Sequence, residues 1–156
     1  MNKTNAMRRL DTAKIQYTVC EYVPDENDLS GVHVAAQIGL PQDMVFKTLA
    51  ARGDRHGVVV FCIPCAAELD LKAAATASGN KSLELLHVKD LPGITGYVRG
   101  GVSPIGMKKA FPTYIDDSAL SHDRITLSAG MKGAQLLLDR AEIVAFLGAT
   151  VCHLTR

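Results

Sequence analysis

A single lysine interrupts the run Val45-Phe46-Lys47-Thr48-Leu49-Ala50-Ala51. A period of two puts Lys47 on one strand face with Val45 and Leu49, and Phe46, Thr48 and Ala50 on the other. Both faces are mostly apolar, so the run predicts an interior strand. Burying an ammonium without a partner is costly. Lys47 therefore either faces a cavity or extends its head to solvent from a strand end, and the pattern leaves both alternatives open. The second feature is Gly100-Gly101-Val102-Ser103-Pro104-Ile105-Gly106. Glycines let the backbone come close to a ligand, and successive N–H groups in such a turn can hold an anion or a developing oxyanion. The segment lacks the P-loop spacing and the dinucleotide fingerprint. A tight bend between strands is the plain alternative reading.

Cys62-Ile63-Pro64-Cys65 has C-x-x-C spacing, which can mean redox chemistry or half a zinc site. Helical pattern begins only near Glu68 or Leu69, no second C-x-x-C exists, and no H-x-x-x-H stands nearby. Cys62 reads as an inert buried residue of a strand, and no metal or cofactor is expected. The five histidines are scattered, and Asp25, Glu26 and Asp28 read as a solvated loop.

These groups need elements to position them. Thr4 or Asn5 can cap a first helix with Met7, Leu10 and Ala13 on one face. Tyr17–Tyr22 reads as a strand. Ser30 is an N-cap for a helix over Val32–Ile38 that Gly39 stops. Val45–Ala51 and Val58–Ile63 form a hairpin around the polar turn 52–57. Leu69–Ala77 is helical, Leu83–Val88 a strand, and Lys89–Leu91 a short helix ended by Pro92-Gly93. Thr113–Asp116 and Arg124–Ser128 read as strands, Ala141–Leu147 as a helix, and Thr150–Leu154 as a last strand. Tight turns among interleaved helices and strands favour a mixed sheet. The expected fold is α+β: a single compact domain over 1–156, with a curled or barrel-like mixed sheet and helices packed outside.

Composition narrows the function classes. The chain has 156 residues, 47% of them hydrophobic, with a mean hydropathy of +0.11, enough to build one core. The longest apolar run, around Val58–Pro64, is too short to span a membrane. The polar N-terminus lacks a signal-peptide core, so a cytoplasmic location and no membrane partner are expected. Seventeen Lys and Arg face sixteen Asp and Glu. That balance speaks against a stand-alone nucleic-acid binder and against DNA as a partner. Any RNA contact should be local or assisted.

In order and spacing, the chain resembles the YbaK/EbsC-type aminoacyl-tRNA deacylases, relatives of the editing domain inserted in bacterial prolyl-tRNA synthetases. The resemblance rests on K-T-N-A-M-R at the N-terminus, D-L-S-G-V-H-V-A at 28–35 and V-F-K-T-L at 45–49. It continues through A-E-L-D-L-K-A-A at 67–74, G-Y-V-R-G-G-V-S-P-I-G-M-K-K at 96–109, F-P-T-Y-I-D at 111–116 and S-A-G at 128–130. It implies a trans-editing hydrolase that clears cysteine mischarged onto tRNA(Pro), with mischarged tRNA as substrate, Cys-tRNA(Cys) as a further candidate substrate, the substrate's own thiol assisting, and prolyl-tRNA synthetase as a partner. Discrimination by size alone yields only about 1–3 kcal/mol, which is why a second, hydrolytic site is useful. The resemblance assigns Lys47 to catalysis. It assigns Tyr22, Thr48, Gly100, Gly101, Ser103, Pro104 and Gly106 to substrate binding. A cationic Lys47 would position phosphate or ribose oxygens and a neutral one would act as a base; both roles stay open. A deacylase for alanine- or serine-charged tRNA and a non-catalytic tRNA- or synthetase-binding module are the rival readings.

Overall fold

In the computed structural model, which describes residues 2–28 and 30–156, the cysteine-bearing strand of the predicted hairpin lies at the centre of the molecule. Met1 and Leu29, which fall in the predicted domain and in the 28–35 motif, lie outside the described residues. Among the described residues eight strands and five α-helices are interleaved: α1 (Asn5–Thr12), β1 (Tyr17–Glu21), α2 (Gly31–Ile38), β2 (Phe46–Gly53), β3 (Gly57–Pro64), α3 (Leu71–Ala77), β4 (Leu83–Leu85), α4 (Leu91–Thr95), β5 (Thr113–Asp116), β6 (Arg124–Ser128), β7 (Ala134–Asp139), α5 (Arg140–Leu147) and β8 (Thr150–Cys152). None of these helices is long and apolar enough to cross a membrane.

The strands form a five-stranded mixed sheet in the order β4-β2-β3-β5-β8 and a three-stranded antiparallel sheet in the order β1-β7-β6. A parallel bridge between Val45 and Thr126 links them. The predicted mixed sheet is present, but it is not closed into a barrel. One bridge joins the two sheets where closure would need a full ladder.

β3 is buried along most of its length because it carries apolar residues on both faces. Val60 and Cys62 face the main core, between the two sheets and α1, with Met7, Leu10, Ile115, Ile125, Leu136 and Ile143. Val59, Phe61 and Ile63 face a second cluster, under α3, with Ala51, Ala74 and Leu154. The caps act as sequence predicts. Thr4 and Ser30 accept first-turn amides, and Gly39 closes α2 in the left-handed conformation; α3, predicted from Leu69, begins at Leu71 because the Asp70 carboxylate caps it there.

Some local expectations need correction. The predicted strand Leu83–Val88 ends at Leu85, and Val88–Asp90 wind into a 3-10 turn. Ala13 is an exposed C-cap, and the third buried residue of α1 is Ala6. Pro92-Gly93 does not end a helix. Pro92 occupies the first turn of α4, where its missing N–H costs nothing, and Gly96 supplies the stop.

Candidate active site

β2 divides its outer edge between two neighbours. Ala51–Gly53 pair with β4, whereas Val45, just before the strand, bridges to Thr126 of β6. Between these two attachments the segment from Phe46 to Leu49 runs along a cleft of about 380 Å³. Lys47 projects here. It is only partly exposed, and its ammonium has no hydrogen bond or ion pair to the described residues. Of the two alternatives the sequence pattern allows, the structure chooses the cavity. Thr48 also lines the cleft, and its hydroxyl lies 3.9 Å from the Cys62 sulfur.

The opposite wall is irregular backbone. Gly100 and Val102 line the cleft, and their amides donate to no acceptor among the described residues. Gly100 sits at φ +86°, which a side chain resists. The Gly101 amide is already used, because it donates to the Val98 carbonyl at 2.9 Å. Of these three successive amides, those of Gly100 and Val102 are the ones left without an acceptor among the described residues.

Gly101, Ser103, Pro104 and Gly106 stand behind this wall rather than on it. A Cβ on Gly101 would lie 3.0 Å from the Met131 backbone, so this glycine lets the loop press against the turn after β6. Ser103 is fully buried, and its hydroxyl accepts the Ile105 amide. Tyr97 donates its phenol to the Ile105 carbonyl, and Asn5 of α1 donates to the Gly106 carbonyl at 2.8 Å. These bonds fix the loop to the core.

Tyr22 lines the cleft just after β1, with its amide bonded to the Gly133 carbonyl. Ser128, Gln135, Arg99 and Lys132 also line it, and sequence reasoning singles out none of them as a site residue. Gln135 carries a signal, since it is a lone amide in the run Ala134–Leu138, much as Lys47 is a lone cation in its own. Its carbonyl accepts the Thr126 hydroxyl at 3.2 Å. Ser128 lies within S-A-G. Lys132 is held by Glu26 across the cleft mouth at 3.2 Å.

Of the two C-x-x-C cysteines, only Cys65 reaches the cleft. Burial pushes its thiol up and the Lys47 charge pulls it down, with the rise larger. It donates to the Gln42 carbonyl at 3.4 Å. Cys62 faces the main core, and burial pushes its thiol up to about 12. The two side chains belong to different clusters, and both are free thiols.

The cleft thus offers an unpaired cation and two backbone donors, with the one thiol disfavoured as a nucleophile. Such a site suits a substrate that is already activated and needs its developing charge stabilised. Comparison with known proteins gives the family. A candidate Cys-tRNA(Pro)/Cys-tRNA(Cys) deacylase of Enterococcus faecalis, EbsC, is 45% identical over 153 residues, covering 98% of this chain and 93% of that protein. A crystal structure described as a candidate trans-editing enzyme for prolyl-tRNA synthetase superposes with a TM-score of 0.86 at 24% identity, covering 100% of this chain and 99% of the other. A chain solved in work on epitope grafting onto scaffold proteins gives the same TM-score at 25% identity, covering 97% and 95%. The model of the aminoacyl-tRNA editing domain matches residues 29–146, most of the chain, and with a relative sharing nearly half its residues end to end, this protein belongs to the aminoacyl-tRNA editing domain family.

Proposed function

We propose that the chain hydrolyses the ester of cysteine mischarged onto tRNA(Pro), with Cys-tRNA(Cys) as a second substrate. The observation that carries this reading is the unpaired Lys47 ammonium sharing a cleft with the uncommitted amides of Gly100 and Val102. The 45%-identical relative, named for the same two substrates, supports it.

An aminoacyl ester needs no strong protein nucleophile. The thiol of the bound cysteine attacks its own carbonyl carbon. A sulfur–carbon bond forms, the ester carbon–oxygen bond breaks, and the ribose oxygen leaves with a proton. Water then opens the thioester. Holding the thiol in an attacking conformer supplies the advantage of an intramolecular reaction. The Gly100 and Val102 amides receive the negative charge that develops on the carbonyl oxygen. Lys47 holds phosphate or ribose oxygens of the terminal nucleotide. Tyr22 and Thr48 shape the side-chain pocket. Prolyl-tRNA synthetase supplies the mischarged product and the choice of tRNA.

The test is deacylation of Cys-, Ala- and Ser-charged tRNA(Pro), with and without prolyl-tRNA synthetase. Cysteine should be cleared at least about tenfold faster, because only its thiol assists. Equal rates for all three would remove the thiol-assisted mechanism.

A further inference from the structure

The near-neutral total charge hides a strong asymmetry. Residues 2–10 and 96–112 hold six of the seventeen Lys and Arg (Lys3, Arg8, Arg9, Arg99, Lys108 and Lys109) and none of the sixteen Asp and Glu. The rest of the chain is net acidic. The fold brings these two stretches together. A Cβ on Gly106 would lie 3.4 Å from Cγ of Arg9, and Asn5 bonds to the same glycine's carbonyl. Lys108 lies along the turn that ends α4, with its amide on the Thr95 carbonyl and its ammonium on the Gly93 carbonyl at 3.2 Å. A Cβ on Gly96 would meet its Cγ at 3.3 Å. Arg99, three residues further on, lines the cleft.

Arg8, Arg9, Arg99, Lys108 and Lys109 are all exposed, and none has an acidic partner among the described residues. Lys3, in the same N-terminal stretch, is paired with Asp11, so what sets the strip apart is the clustering of its cations without any Asp or Glu in either stretch. An unpaired basic strip leading out of a cleft focuses a polyanion toward it.

We infer that the strip from Arg99 over Lys108 and Lys109 to Arg9 and Arg8 is the track along which the RNA backbone leaves the cleft. The inference rests on the aminoacyl-tRNA reading above and adds the surface that takes the phosphates upstream of the terminal nucleotide. Phosphate binding of this kind positions the RNA and carries no sequence information. It leaves tRNA identity to be read elsewhere.

The experiment compares wild type with two charge reversals, Arg8→Glu/Arg9→Glu and Lys108→Glu/Lys109→Glu, and with the control Arg55→Glu/Lys81→Glu, where Arg55 lies in the β2–β3 turn and Lys81, just before β4, bonds through its amide to Asp54 of that turn. Two substrates are used, full-length Cys-tRNA(Pro) and a cysteinylated CCA trinucleotide, together with binding of uncharged tRNA(Pro) as a function of salt. Each strip variant should raise KM for the full tRNA about tenfold or more. It should also lower the salt slope of binding by roughly 0.7–0.9 for every phosphate it no longer neutralises. Turnover of the trinucleotide and kcat should stay near wild type, which also shows that the variants fold. An unchanged KM and salt slope in the strip variants, or an equal loss in the control, overturns the track. If wild type cleaves neither substrate, the activity reading falls, and the uncharged-tRNA binding arm alone decides the track.

Discussion

The two walls of the cleft use opposite halves of the polypeptide. On one wall β2 is regular. Phe46–Gly53 pair with β3 along one edge, which holds the strand straight, and Lys47 extends its side chain from it into the cleft. On the other wall the loop from Tyr97 to Gly106 has no ladder. Its side chains serve as anchors, and the backbone amides of Gly100 and Val102 are left free. A strand delivers a side chain precisely and commits the backbone groups that face its partner. A loop keeps its backbone available only if buried side chains hold it still. Here Tyr97, Ser103 and the close seat of Gly101 do so.

The comparison breaks most visibly at Lys47. Lys47→Ala should lower kcat/KM for Cys-tRNA(Pro) by about 10²-fold with little change in Tm, because it removes a positioning charge and leaves the core intact. A variant within twofold of wild type would show that the strand wall contributes no chemistry.

The loop wall should respond through geometry. Gly101→Ala places a methyl against the Met131 backbone, so the loop must move away from the turn after β6. Such overpacking costs about 1–3 kcal/mol, and the shifted Gly100 and Val102 amides should reduce kcat more than they raise KM. A loss confined to KM would make this wall a binding surface only.

Tyr97→Phe sharpens the anchor role. It removes the phenol bonded to the Ile105 carbonyl in a buried setting, and thermal unfolding should show a loss of about 1–2 kcal/mol. Deacylation at low temperature should fall less than in Gly101→Ala, since no steric displacement accompanies it.

The smallest effects belong to the cysteines. Cys65→Ser should leave turnover within about twofold, because the mechanism assigns this thiol no step. A collapse of activity would instead make Cys65 the nucleophile. The Cys62 thiol is raised from 9.0 to about 12 in the folded chain. Its proton is held in the folded state while the unfolded chain loses it above 9.0, so the contribution is complete below 9.0 and declines as pH rises toward about 12. Chemical unfolding of wild type and Cys62→Ala across that range measures the difference, and parallel pH curves would refute it.

Much of the molecule is legible in its residues. The alternation around Lys47, the caps at Thr4 and Ser30 and the hairpin at 52–57 are local, set by side-chain period, capping groups and turn chemistry. The ordered motifs also point to the family. Pro92-Gly93 misleads, because the same pair can end a helix or sit in its first turn, and only the neighbouring turns decide.

What the sequence determined by itself is which residues break the local rules: a cation and an amide in apolar strands, and glycines where a side chain would be expected. What only the tertiary structure decided is which of them meet. The divided edge of β2 opens the cleft at Lys47, the Val98 carbonyl takes the Gly101 amide, and α1 settles Asn5 and Arg9 against Gly106. The cleft and the basic strip both join segments far apart in the chain. Local periodicity sets the facing of a strand or helix, but only packing of the whole core fixes what that face touches.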